Sequence, residues 1–329
     1  MSATAPPPGV YVPVPTFYRS SAEAKSAGQL QAKVDVETQV NHSVFLAKAG
    51  IKGLVLLGST GEAIHLNRAE RLELVSGVRR GLDDAGFPDY PIMAGVLTNG
   101  IDETLEWLRD YQKAGAQWGL ALVPGYFGVG ASQDNIKEWY TIIADNSPIP
   151  ILIYNYPGVT NNVLVAPETY TALAAHPNIV GCKMSHGNVS HHVQVSLDPN
   201  IDHDAFRVYS GFGQQLGPIV AFGAAGVIDA LAAIYPKTVV ALFDAVTKSN
   251  TGDVSALAEA RRLQYVVSRA EEFIGKTGVV GIKDAVYRVT GLGFNEGGRL
   301  PLKGRLADGE WEGLRKAYLA DIEKSEASL

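Results

Sequence analysis

"GLVLLGSTGEAIHLNRAERLELVSGVRRGL", residues 53–82, holds a strand, a turn and a helix in one unbroken run. The apolar segment 53–58 reads as a short strand. It breaks at "GSTGEA", 58–63, a turn rich in glycine and hydroxyls. Asn67 then stands where a helix N-cap belongs, with Glu70 placed to complete a capping-box pair before an amphipathic stretch. The stretch is therefore one complete βα unit.

The same unit recurs on both sides of it. Short apolar or β-branched runs occur at "VYVPV" 10–14, "PIMAGV" 91–96, "WGLALV" 118–123, "PILIY" 150–154, "IVGCK" 179–183, "FRVYS" 206–210 and "GVIDA" 226–230. With 53–58 these predict eight strands. Stretches of helix length separate them, such as 35–50, 67–82 and 102–116, several closed by glycine. Alternating strand and helix is the pattern of parallel α/β architecture, and eight such units predict a closed (β/α)8 TIM barrel over residues 9–245. A doubly wound open sheet is the alternative, but it usually carries a glycine-rich nucleotide turn after its first strand, and "VPTFYRSS" offers none. After residue 245 the pattern is helical only, with 253–275 and 310–327 the clearest segments, which predicts a C-terminal helical annex over 246–329. Residues 1–8 read as a loose tail and 18–34 as a long first loop.

Bulk composition narrows the function classes. Of 329 residues, 46% are hydrophobic and 19% charged, enough apolar material for a large core and too little charge for a disordered chain. The net charge is −6 and no Lys/Arg-rich run is present, so neither nucleic acid nor an anionic membrane surface is an expected partner. A single cysteine, Cys182, excludes an internal disulfide framework and a multi-cysteine zinc site. The start "MSATAPPPGV" lacks the n- and h-regions of a signal peptide, and no apolar run reaches the ~18 residues of a membrane span, so the expected location is cytoplasmic. The final "ASL" only loosely echoes a peroxisomal tail.

Barrel active sites sit at the carboxyl ends of the strands, which directs attention to "IVGCKMSH", 179–186. Lys183 ends the sixth strand in an apolar run, where a buried ammonium costs several kcal/mol unless it is paired or deprotonated. Period-2 alternation predicts Ile179, Gly181 and Lys183 on the barrel-facing side and Val180, Cys182 and Met184 outside, with Gly181 leaving room beneath the lysine. The same alternation in "ILIYNYP" turns Leu152 and Tyr154 inward, putting Tyr154 level with Lys183 about 4.8 Å away on the neighbouring strand. Ser59 and Thr60, with the backbone amides of "GSTGEA", form a pocket suited to a carboxylate. A lysine that can form an imine, a tyrosine to move protons and a carboxylate cradle together suit a 2-oxo acid substrate. Each has an ordinary structural reading as well: a lysine snorkelling to the rim, an aromatic at the barrel mouth, a common βα turn.

On "GSTGE", "YNYP" and "GCKMS", in that order and spacing, the sequence resembles the pyruvate-dependent class I aldolases typified by dihydrodipicolinate synthase and N-acetylneuraminate lyase. The resemblance covers roughly residues 9–245, and the helical annex matches as well. It implies that Lys183 is the Schiff-base lysine, Tyr154 the proton-transfer tyrosine, and Ser59 and Thr60 the hydroxyl pair holding the pyruvyl carboxylate. It implies for Tyr126, in "VPGYF", a place in a neighbouring subunit's proton relay, hence a homo-oligomer, a tetramer built as a dimer of dimers. Ile228 falls where the family lines the pyruvate pocket, and Gly211 is expected among the substrate-binding residues. No cofactor and no metal are implied, the covalent imine serving instead.

Departures from the family pattern bear on the substrate. Val159 in "YNYPGVT" replaces the arginine by which dihydrodipicolinate synthases grip a second carboxylate. Gly213 and Gln214 in "SGFGQQ" stand where sialic-acid lyases carry acidic residues. Among family branches the likeness is to the fungal 2-keto-3-deoxy-L-galactonate aldolases, which yield pyruvate and L-glyceraldehyde. Ser185, His186, Gln214 and Asp229 are expected at the aldehyde end. The alternatives are a 4-hydroxy-2-oxoglutarate aldolase, a dihydrodipicolinate synthase-like condensing enzyme, and a non-catalytic 2-oxo acid sensor. Two rival sites are set aside. Lys283, in "VVGIKDAVY", follows all eight strands in a run that ends at Gly291 like a capped helix. His186, His191 and His192 could suggest metal chemistry, but no facing ligand spacing supports a three-ligand site.

Overall fold

A computed structural model of the chain describes residues 3–294 and 296–329. Eight parallel strands pair in sequence order and close on themselves: β1 Gly9–Pro13, β2 Gly53–Leu56, β3 Ile92–Val96, β4 Trp118–Leu122, β5 Ile151–Asn155, β6 Ile179–Met184, β7 Arg207–Ser210 and β8 Gly226–Ile228. Each lies within its apolar run or one residue beyond it. Continuous apolar runs are what strands buried on both faces require. Leu54, Ile92, Cys182 and Met184 belong to the layer between strands and helices, while Tyr11, Val55, Leu152, Tyr154, Tyr209 and Ile228 fill the barrel interior. The helix Arg68–Asp84 begins at Asn67 with the expected capping box, Asn67 Oδ1 accepting from the Glu70 amide and Glu70 from the Asn67 amide.

Strict alternation in β6 fails at one point. Ile151 pairs with Ile179 but Leu152 pairs with Gly181, so Val180 is an extra residue on the β6 side, a β-bulge. The bulge turns Val180 into the barrel and Ile179 out toward the helices, reversing the expected placement of both. Past the bulge alternation resumes, with Cys182 and Met184 outside and Lys183 level with Tyr154. Gly181 is also explained differently. A side chain there would collide with the Arg207 carbonyl, so the glycine lets β7 close against β6.

The amino-terminal segment is a plug, not a loose tail. Trp118 Nε1 donates to the Thr4 carbonyl (2.8 Å), Tyr209 OH to the Pro6 and Pro7 carbonyls (3.1 and 3.0 Å), and Tyr11 OH to Pro7 (2.9 Å). Ala3 and Ala5 pack on the interior cluster. Buried phenols and indoles need acceptors, and prolines supply carbonyls without adding an N–H to satisfy. Residues 1 and 2 of the expected tail lie outside the described residues. The long first loop is likewise ordered, holding a helix Ser21–Ser26 and an antiparallel bridge between Tyr18 and Val34.

Among the described residues the regular elements after β8 are helices, with a loop between Thr290 and Asp308 that carries an antiparallel bridge from Gly297 to Lys303. Pro236–Asn250 runs through the expected boundary at 245/246 and is followed by a long run Val254–Thr290, broken at Gly278 (φ 57°, ψ −151°), and by helices Asp308–Leu314 and Ala320–Ser328. Arg299, in the loop before the last two helices, forks onto Glu70 (2.9 and 2.5 Å) and ties this region to the barrel. No helix among the described residues is long and apolar enough to cross a membrane.

Candidate active site

Lys183 is 5% exposed at the carboxyl end of β6, its Nζ 4.7 Å from the centre of the Tyr154 ring. Burial lowers its pKa to about 7, against the opposing pull of the Asp229 carboxylate. An amine so placed is partly free at neutral pH and can attack a carbonyl. The Tyr154 hydroxyl lies 3.2 Å from Ser59 Oγ, and its ring stacks on Tyr156 (6.1 Å, 27°). Burial raises the phenol to about 12, with the Ser59 and Ser185 hydroxyls acting the other way. Tyr154 is therefore neutral at ordinary pH and can pass a proton only by handing one on.

Ser59 and Thr60, both partly buried, sit on a loop bracketed by two non-glycine residues in the left-handed region, Leu57 (φ 60°) and Glu62 (φ 52°). Such residues cost about 1–3 kcal/mol each and persist only where surroundings hold them. Here Thr16 Oγ1 donates to the Gly61 carbonyl (2.6 Å), and Glu62 accepts from Lys283 Nζ (2.6 Å) and from the Arg299 amide (3.2 Å). Lys283 is on the long helix closed by left-handed Gly291, as the sequence indicates, and its charge is committed to Glu62.

Ile228 lies in the interior cluster, and Ser185 and Asp229 are buried. A side chain at Gly211 would collide with the Ser185 hydroxyl, so that glycine sets how closely β7 approaches the end of β6. Asp229 Oδ1 accepts from the Leu231 amide (3.2 Å). His186 packs against His192 (4.9 Å) and His191 (6.0 Å), and burial with those two imidazoles pushes it down to about 4, so it is neutral. His192 sets its two nitrogens against the Asn188 and Met184 carbonyls (2.9 and 3.2 Å), and the neutral ring that burial favours donates to one of them. Among the described residues no group of three or more His, Cys, Asp or Glu is arranged to hold a metal ion.

Two expected residues stand apart. Gln214 is exposed, and the buried amide is its neighbour Gln215, which accepts from Ser210 Oγ (2.6 Å) and donates to the His186 carbonyl (3.1 Å). Tyr126 is 76% exposed. Its backbone is pinned, Asn99 Oδ1 accepting from the Gly125 and Tyr126 amides (3.1 and 3.4 Å) and Asn161 Nδ2 donating to both their carbonyls (2.9 Å each). The ring points away from its own chain's packing, beside Phe127. Sequence reasoning missed Tyr156, the Glu62–Lys283 pair and Glu271, a buried carboxyl on the long helix beside Asp229.

Residues 18–311 match the dihydrodipicolinate synthetase family. The chain belongs to that family. As a member of the dihydrodipicolinate synthetase family with relatives named aldolases it is an enzyme, an aldolase and so a carbon–carbon lyase. Among its relatives is the L-threo-3-deoxy-hexylosonate aldolase of Hypocrea jecorina, 32% identical over 328 residues, covering 97% of this chain and 98% of the relative. A protein of Emericella nidulans named "Probable 4-hydroxy-2-oxoglutarate aldolase, mitochondrial" is 32% identical over 286 residues, covering 87% of this chain and 86% of its own. The crystal structure of dihydrodipicolinate synthase from Thermotoga maritima superposes with a TM-score of 0.82 at 25% identity, covering 98% of this chain and all of that one.

Proposed function

We propose that this family member is a Schiff-base aldolase that cleaves 2-keto-3-deoxy-L-galactonate to pyruvate and L-glyceraldehyde, with no metal and no cofactor. The observation that carries the reading is the buried, partly deprotonated Lys183 held level with Tyr154, whose hydroxyl reaches Ser59. Lys183 attacks the C2 ketone and water leaves as the iminium forms. Tyr154 accepts the C4 hydroxyl proton while giving its own to Ser59, which passes its proton on along the relay that Tyr126 of a neighbouring copy completes; the C3–C4 bond breaks, and its electron pair passes to C2–C3 as the iminium becomes an enamine. Protonation at C3 and hydrolysis release pyruvate and the free lysine. Ser59, Thr60 and the amides of their loop hold the substrate carboxylate above Ile228.

Val159 and Gly213 offer no charge to a distal acid, while Ser185, His186 and Asp229 offer bonds to a short polyol, with Gln214 at the rim. The Hypocrea relative's name accords with that choice. The Emericella relative keeps 4-hydroxy-2-oxoglutarate as the second reading. Steady-state kinetics on the 2-keto-3-deoxy acids of L-galactonate and D-gluconate, on 4-hydroxy-2-oxoglutarate and on N-acetylneuraminate tests this. The expected order puts the L-galactonate derivative first in kcat/KM and 4-hydroxy-2-oxoglutarate second. A kcat/KM for 4-hydroxy-2-oxoglutarate above that of both hexonates would replace the substrate while leaving the chemistry.

A further inference from the structure

Two carboxyl groups meet beside Lys183, and the reaction as written leaves one of them, Glu271, without a part. Asp229, just past β8, is 1% exposed, and Glu271, reaching in from the long C-terminal helix, is 6% exposed. Asp229 Oδ2 and Glu271 Oε1 are buried and find no donor among the described residues. Both crowd the same point, since a methyl group on Gly213 would stand 2.8 Å from Glu271 Oε1 and 2.9 Å from Asp229 Oδ2. Two carboxylates so crowded repel one another, whereas a proton on either oxygen lets it donate to the other, so the geometry favours a shared proton.

The other contacts decide which one. Burial raises the Asp229 carboxyl too, but the Leu231 and Ala232 amides and the charge of Lys183 act against it, whereas on Glu271 the Gly213 amide alone does so. Glu271 is pushed well above the usual carboxylate range by burial and then by the charge of Asp229. Among the described residues, the titratable groups acting on the pair are its two members and Lys183. The balance favours a neutral Glu271 donating to an ionised Asp229, whose charge acts on the lysine.

We propose that Glu271 is a positioning residue that keeps Asp229 ionised as the counter-ion of Lys183 and of the cationic imine formed there. Burial alone would strip the lysine of its proton and leave an iminium without an anion to balance it. The buried anion restores basicity to the amine, and the shared proton lets that anion persist without water. The consequence for catalysis rests on the imine reading above, but lysine basicity can be read without any turnover.

The test is competitive labelling of the full-length protein with trace acetic anhydride across pH 5–10, read as the acetylation midpoint of the Lys183 peptide. In Glu271→Leu and in Asp229→Asn the midpoint should fall by about one pH unit, a tenfold change in the protonation equilibrium. Glu271→Gln keeps a donor toward Asp229 and should stay near the wild-type midpoint, which also guards against a folding defect in the leucine variant. Adding Glu271→Leu to Asp229→Asn should change nothing further. A midpoint that is unmoved or raised in Glu271→Leu, or a glutamine variant as shifted as the leucine one, overturns the proposal. If the labelling pattern holds but no imine can be trapped, the carboxyl pair stands and the imine reading fails.

Discussion

At Lys183 burial and the Asp229 carboxylate pull in opposite directions, and burial prevails. The free amine fraction therefore grows as pH rises through about 7, and single-turnover imine formation with pyruvate should rise over the same interval and level off above it. A rate flat from pH 5 to 9 would mean that a different group is titrating. Tyr154→Phe should lose cleavage by roughly 10²–10⁴-fold while keeping imine formation, because the ring that lies against the amine remains and only the proton path is cut. Near-normal turnover would remove the phenol from its role. Lys183 and Tyr154 were legible from sequence because alternation on adjacent strands fixes which side chains meet, and neither depends on distant parts of the chain. Glu271 was not, since "RAEEFIG" reads as an ordinary charged helix surface until tertiary packing turns one of its two glutamates inward. Val180 and Ile179 were misassigned for a related reason: nothing in "IVG" announces a bulge.

At the scale of elements, the loop carrying Ser59 and Thr60 is held in a strained form by a buried ion pair from the other end of the chain. Lys283→Met would leave Glu62 buried without its cation, a loss of about 3–5 kcal/mol for pairs broken on one side. The expected outcome is a lower urea midpoint together with a KM for the 2-oxo acid that rises more than kcat falls. An unchanged midpoint, or a kcat loss without a KM change, would separate the pair from the loop. The turn and its capping box could be read from residues 58–70 because both are local. The partner of Glu62, 221 residues away, could not. The amino-terminal plug escaped for another reason: its contacts are made by backbone carbonyls, which every residue carries and no composition reveals.

For the molecule as a whole, the eight-strand barrel was legible because a sheet covered on both faces needs uninterrupted apolar runs, and eight of them recur along the chain with longer stretches between. The assembly is less directly written. Tyr126 and Phe127 stand in solvent on a loop whose backbone Asn99 and Asn161 hold firmly, as a contact surface for a second copy would require. If Tyr126 completes a neighbour's relay, mixing inactive Lys183→Ala chains with inactive Tyr126→Phe chains should restore about a quarter of wild-type activity once subunits exchange at random across a two-fold interface. No recovery despite proven exchange would confine Tyr126 to its own chain or to no catalytic role. Imine catalysis by this chain requires covalent chemistry at one lysine. Incubating the wild-type protein with pyruvate and sodium borohydride, then mapping the mass of each peptide, should place one reduced pyruvyl group on the peptide containing "GCKMSH", at Lys183. An unmodified chain, or label carried by Lys283, would contradict it.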